Sequence, residues 1–257
     1  MKKLLGLILA GLLLVTPAFA YIIIGGAAAV PILLPLGDSI TVGSGDEEST
    51  GGGQFGYRDH LQTLLGVGNY HFVGPYTDPD TDATFDVNHA GVGGQKASDI
   101  SGRLDGLLLT YFNDTLAAHS TVLIMAGTND CNQGVANNTT IAHINNMINK
   151  IDSFDPAIDV YIAKVTPCHT TGQGIVINTC LSTLNPLIES NVLARQATKS
   201  NVHVVDMNAA FRANVNWEAD YMSGVGVSHP KDAGYQVMAN TWYACIQNPN
   251  ATYCDGN

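Results

Sequence analysis

Five short apolar runs, at residues 32–36, 70–73, 121–125, 160–165 and 202–205, recur along the chain with little polar–apolar alternation. A strand with one face in water alternates, whereas a strand covered on both faces reads as a continuous Val/Ile/Leu-rich run. Longer stretches at helical spacing lie between the runs, at 57–65, 97–111, 139–151, 184–199 and 233–246. In the third of these, Ile141, Ile144, Ile148 and Ile151 share one face and form a core-facing stripe. Strands buried on both faces need helices on both faces. The expected class is therefore α/β, a three-layer α/β/α sandwich around a mostly parallel, five-stranded sheet. With 257 residues, 46% of them hydrophobic, the chain can bury one substantial core. In such sheets ligands bind beyond the carboxyl ends of the strands.

The N-terminus is set apart from this pattern. Lys2 and Lys3 precede an apolar stretch from Leu4 to Val15, and Ala18-Phe19-Ala20 has the small-residue form of a cleavage site. Residues 1–20 read as a secretory signal peptide and residues 21–257 as a single domain. An uncleaved anchor is the alternative, because no charged residue falls between Lys3 and Asp38; Pro17, Gly25, Gly26 and Pro31 interrupt that stretch. Export implies a secreted or periplasmic protein with no stable membrane association after cleavage. The whole chain carries a formal charge of −11, and loss of Lys2 and Lys3 would make it more negative still. An acidic chain without a Lys/Arg cluster is repelled by phosphate backbones, so nucleic acid is not an expected partner.

An oxidising compartment favours disulfides among Cys131, Cys168, Cys180, Cys245 and Cys254. The short spacings favour Cys168–Cys180 and Cys245–Cys254, leaving Cys131 over, with Cys131–Cys168 as a competitor. No cysteine or histidine spacing matches a zinc site, and neither metal nor organic cofactor is expected. Asn113, Asn137, Asn138 and Asn250 begin Asn-x-Ser/Thr sequons.

The chemistry-bearing residues sit at the ends of the apolar runs. Gly37-Asp38-Ser39-Ile40-Thr41 follows the first run directly, and Gly127-Thr128-Asn129-Asp130 follows the third. Both fall where a parallel sheet presents its ligand-binding edge. Serine is a weak nucleophile that needs a base within hydrogen-bond reach. Among eight histidines, His229 suits that role: it lies in Ser228-His229-Pro230, just ahead of a helix. His203 falls in a strand, and His60 and His143 fall in helices, where packing or solvent exposure accounts for them. Acyl transfer also needs donors aimed at the developing oxyanion. Asn129 offers an amide, and His89-Ala90-Gly91-Val92-Gly93-Gly94 offers backbone N–H groups unobstructed by side chains. The Gly-rich, acidic stretch 43–56 reads as a mobile rim beside the serine. Phe55, Tyr57, Trp217 and Tyr221 are aromatic candidates for stacking on a sugar, and Asp38 is a further substrate-side candidate.

In this order the blocks resemble the SGNH (GDSL-type) hydrolase superfamily. They are Gly37-Asp38-Ser39-Ile40-Thr41, Ala90-Gly91-Val92-Gly93-Gly94, Gly127-Thr128-Asn129-Asp130, and His229-Pro230 followed by Ala233-Gly234-Tyr235. The resemblance implies a flavodoxin-like sheet, Ser39 as nucleophile and His229 as base. It also implies an oxyanion hole made by the Ser39 and Gly94 N–H groups and the Asn129 amide. The run from Leu34 to Thr41, with Gly56-Tyr57-Arg58, Phe72-Val73-Gly74 and the stretch 204–207, is similar to the family-three carbohydrate esterases. That similarity implies an acetyl xylan esterase-like activity on an acetylated polysaccharide or other small ester.

One position departs from the superfamily pattern. An aspartate is expected three residues before the histidine, and Gly226 stands there. Either another acid such as Asp220 orients His229, a backbone carbonyl does so, or the enzyme is impaired. Asp232 reads instead as a helix-terminus acid. Two alternatives to a glycan deacetylase follow: a lipase or lysophospholipase-type esterase with the same machinery, and a catalytically impaired carbohydrate-binding relative.

Overall fold

The structure, a computed structural model, describes residues 29–46, 54–77, 84–112, 119–224 and 227–257. The signal sequence, the middle of the acidic rim stretch, Asn113 and Gly226 lie outside the described residues. Chain order is β1 (Ile32–Gly37), α1 (Ser39–Val42), α2 (Tyr57–Leu65), β2 (His71–Phe72), β3 (Tyr76–Thr77), β4 (Asn88–Gly91), α3 (Ala97–Tyr111), β5 (Thr121–Ile124), α4 (Thr128–Asn132), α5 (Asn137–Phe154), β6 (Asp159–Lys164), α6 (Gln173–Gln196), β7 (Val202–Asp206), α7 (Met207–Arg212), α8 (Trp217–Tyr221) and α9 (Asp232–Gln247).

β1 is central. It pairs in parallel with β5, which pairs with β6, which pairs with β7. Its other flank is shared: His71 and Phe72 take the first half, and Ala90 and Gly91 the second. β3 adds an antiparallel edge to β4. The sheet therefore has seven strands rather than five, because one expected position is built from two short strands and an edge ribbon is added.

Within β1, β5, β6 and β7 the apolar residues sort by residue parity. Leu34, Leu36, Val122, Ile124, Val160, Ile162, Val202 and Val204 face one core cluster, covered by α3, α5 and α6. Leu33, Leu123, Met125, Tyr161, Ala163 and Val205 face the other, covered by α2, α7 and α9. Period-two side chains buried on both faces produce the three layers.

Two elements differ from expectation. The fourth predicted helix starts at Gln173, with Pro186 in its interior. A mid-helix proline costs about 3 kcal/mol, and burial of Ile177, Leu181, Leu184, Ile188 and Val192 offsets it. The glycine-rich turn expected from His89 begins instead as strand β4.

The disulfides are Cys131–Cys180 and Cys245–Cys254, and Cys168 is a buried free thiol. Cys168–Cys180 is thus corrected: α4 and α6 pack together, which brings Cys131 to Cys180 from 49 residues away. Burial holds the Cys168 thiol up at about 12, so it is protonated and unreactive. Among the described residues, no helix is long and apolar enough to cross a membrane.

Candidate active site

Ser39 sits at the carboxyl end of β1, as the first residue of α1. Asp38 caps this short helix, its Oδ1 accepting from Ile40 N at 2.9 Å. Gly37 admits no side chain: a Cβ there would lie 2.2 Å from Thr41 Oγ1 and 2.8 Å from Met125 O. The turn from strand to helix is that tight.

A four-residue helix leaves its last carbonyls without intrahelical partners. Arg58, fully buried, supplies partners. Its Nε donates to Thr41 O at 3.1 Å and its Nη2 to Val42 O at 3.1 Å. The same guanidinium reaches Val87 O at 3.0 Å and Gln54 O at 2.9 Å. Arg103 does comparable work beneath the strand ends, donating through Nη2 to Gly37 O at 3.2 Å and Ala90 O at 2.6 Å. Burial and the nearby Arg58 and Arg103 charges push His89 down to about 3, so its imidazole is neutral. Its Nδ1 accepts from Gly91 N at the end of β4.

His229 reaches Ser39 from 190 residues further on, with Nε2 3.0 Å from Ser39 Oγ. It stands in the connection between α8 and α9. That connection is closed by Lys231 N donating to Tyr221 O, Ser223 N donating to His229 O, and a bridge between Met222 and Pro230. The hydroxyl and the imidazole predicted to meet therefore do so.

Asn129, on α4 beyond β5, is also at this edge. Its Nδ2 donates to Asp38 Oδ2 at 3.1 Å and to Gln95 O at 3.0 Å. Both contacts hold the amide at this edge. A reacting oxygen would have to share or displace the Gln95 bond, since catalytic hydrogen bonds often tighten only once substrate is bound. The Ser39 and Gly94 N–H groups, by contrast, donate to no acceptor among the described residues. A Cβ built on Gly93 would lie 3.9 Å from Ser39 Cβ, which puts the glycine turn beside the serine. Gly94 is exposed, and Ser39, Asn129 and His229 are half-buried, so the edge is open to solvent.

The other candidates are placed differently. Asp38 is fully buried, with both carboxylate oxygens occupied, and faces Asn129 rather than an incoming molecule. Burial, with like-charge repulsion from Asp130, raises it to about 6 although the Ile40 N–H opposes the shift. Tyr57 has no exposed surface and packs on Trp242, with ring centroids 6.1 Å apart. Phe55 is buried edge-on against Phe85. Trp217 is 8% exposed beneath the Arg212 guanidinium. Tyr57 and Phe55 are core residues, which corrects the stacking expectation for them. Tyr221, partly buried, meets Phe211 edge-on. Asp220 accepts from Asn214 Nδ2 at 2.7 Å, and Asp232 pairs with His60 Nε2 at 2.8 Å.

Sequence reasoning missed the supports. Arg58 and Arg103 act on backbone carbonyls, and Asp130 accepts from Ala97 N at 2.9 Å and Thr140 Oγ1 at 3.1 Å, joining α4 to α3 and α5. The signal for Asp130 was present, in the block that carries Asn129. Arg58 stands in the Gly56-Tyr57-Arg58 run, but its role, like that of Arg103, could not be read there, because carbonyl partners leave no mark in a sequence.

Residues 36–237 match the GDSL-like lipase/acylhydrolase family, from the end of β1 into the first turns of α9. The chain belongs to that family. Family members are acylhydrolases, and the serine–histidine contact lies inside the matched region. A multidomain esterase from Ruminococcus flavefaciens is 26% identical over 242 residues, 87% of this chain. The chain spans 29% of that protein's length. Among solved structures, a family 3 carbohydrate esterase from Clostridium thermocellum shares the fold with TM-score 0.64 and 23% identity, covering 83% of this chain and 93% of the other. An acetylxylan esterase from Geobacillus stearothermophilus does so with TM-score 0.60 and 18% identity, covering 85% and 95%.

Proposed function

We propose that this family member is an exported serine esterase that removes acetyl groups from a polysaccharide. The observation that carries the proposal is the 3.0 Å contact between His229 Nε2 and Ser39 Oγ at the open edge of the sheet. In the proposed reaction Ser39 Oγ attacks the ester carbonyl while its proton passes to His229 Nε2. Negative charge builds on the carbonyl oxygen, which the Ser39 and Gly94 N–H groups receive and Asn129 joins. The C–O bond to the sugar breaks, and the departing alkoxide takes the proton from His229. Water then adds to the acetyl-Ser39 ester with His229 accepting its proton. The tetrahedral adduct collapses, acetate leaves, and the serine hydroxyl is restored.

Support for a short acyl group on a glycan comes from the likeness to carbohydrate and acetylxylan esterases, together with the block similarity already described. Export rests on the N-terminal sequence pattern. The deciding experiment measures release of acetate from acetylated xylan, beside hydrolysis of chromogenic acetate and long-chain esters. Acetate turnover that vanishes in Ser39→Ala is expected. Full activity in that variant defeats the proposed mechanism, and a strong preference for long chains defeats the glycan assignment.

A further inference from the structure

His169 enters neither the sequence blocks nor the reaction just described, yet its contacts converge on the segment that delivers His229. It follows β6 in the stretch 165–169. Its backbone N–H donates to Val227 O at 2.8 Å. Its ring Nε2 lies 2.9 Å from Ser223 O. The same Ser223 donates its own N–H to His229 O at 2.9 Å. One residue thus grips the His229 segment at two points, on either side of Gly224, and one of those points is bonded directly to His229.

The other ring nitrogen is held in turn. Nδ1 lies 3.0 Å from Glu218 Oε1, on α8. Glu218 is itself fixed by Thr170, whose N–H reaches Oε1 at 2.9 Å and whose hydroxyl reaches Oε2 at 2.5 Å. Those Thr170 hydrogen bonds lead the effects that hold the Glu218 carboxyl below its ordinary range, so it is a carboxylate. A carboxylate and a backbone carbonyl are both acceptors. Both ring nitrogens of His169 therefore face acceptors. Asn178 steadies the base of the arrangement, donating to Cys168 O at 2.7 Å and His169 O at 3.2 Å.

We propose that His169 and Glu218 are positioning residues for the esterase reaction: they form a latch that fixes Ser223 and Val227 and so sets the place of His229 opposite Ser39. Neither touches the reacting atoms. Their effect is on the rate of the chemical step, since a displacement of about 1 Å in a catalytic group can cost about 100-fold. The inference rests on the serine-esterase reading of Ser39 and His229.

The test compares wild type, His169→Ala, Glu218→Ala and Glu218→Gln on a chromogenic acetate, with amide hydrogen exchange on the same samples. His169→Ala is expected to lower kcat about 10- to 100-fold while KM stays within about twofold. Glu218→Ala should lower kcat in the same way. Glu218→Gln should recover most of the loss, because the amide oxygen still accepts from His169 Nδ1 and Thr170 N. Exchange at the Ser223 amide should quicken in His169→Ala, with the β5 and β6 amides unchanged. Wild-type kcat and Ser223 protection in His169→Ala would overturn the latch. So would a uniform loss of protection across the sheet, which marks a stability effect. A Glu218→Gln variant as slow as Glu218→Ala also counts against it. Failure of the wild type to turn over acetate sinks the functional reading instead, and the exchange data still report whether His169 holds Ser223.

Discussion

Replacing Asp38 by Asn should change how stability depends on pH, and by a calculable amount. The carboxyl has no exposed surface, and burial together with the charge of Asp130 raises it from 3.8 to about 6. Two units correspond to about 3 kcal/mol. The sign follows from linkage. A carboxyl that binds its proton more tightly in the folded state contributes fully below its unfolded value near pH 3.9, and that contribution is lost as pH rises through about 6. The wild type therefore forgoes about 2 kcal/mol between pH 4 and pH 7, the part of that term not already lost at pH 4. Asparagine does not titrate, although it can accept from only one of Ile40 N and Asn129 Nδ2. A constant penalty is thus superimposed on the pH-dependent term. Urea unfolding of both proteins at pH 4, 5, 6 and 7 isolates that term. The stability of wild type minus that of Asp38→Asn should fall by about 2 kcal/mol over this range, with unchanged m-values. A difference that is flat with pH would show that Asp38 ionises in the fold as it does in the unfolded chain, and one that grows would show that the fold favours the carboxylate; either refutes the reasoning.

Two further outcomes are expected. Gly45, at φ +91°, packs against the His229 segment, and a Cβ there would lie 2.7 Å from Ser223 Oγ and 2.8 Å from His229 Cβ. Gly45→Ala should cost about 1–3 kcal/mol in thermal unfolding and lower kcat by up to about 100-fold; a variant with wild-type kcat would show that His229 tolerates displacement. The Cys131–Cys180 bond closes a separation of 49 residues, worth about 4 kcal/mol by chain entropy. Urea midpoints should fall accordingly in a Cys131→Ser/Cys180→Ser double variant; an unchanged midpoint would deny the bond its share of stability.

Legibility in the sequence followed the range of the interactions. Tyr57–Leu65, bounded by Gly56 and Gly66, and Ala97–Tyr111, opened by Lys96, were readable residue for residue, because their apolar faces are periodic. Ser39 and His229 could be paired because each type of residue has a chemical reason to sit where it does. β4 was hidden, being four residues long and rich in glycine. Pro186 masked the first half of α6, since local propensity cannot register the core contacts that outweigh it. The Cys131–Cys180 pairing depends on the packing of α4 on α6, which spacing does not encode. Tyr57 and Phe55 show the same limit: an aromatic beside a glycine reads alike whether it faces solvent or Trp242. The roles of Arg58 and His169 were beyond reach because they rest on partners brought close only by the fold.

The Arg58 acceptors come from three separate stretches, at Thr41 and Val42, at Gln54, and at Val87. A cation stripped of water without such oxygens is heavily penalised, so the guanidinium cannot enter the interior until all three have arrived. Thr41 and Val42 are also the last residues of the turn that begins at Ser39. A half-folded chain consequently has no half-formed nucleophile turn. Ser39 gains its setting in the same cooperative event that completes the interior.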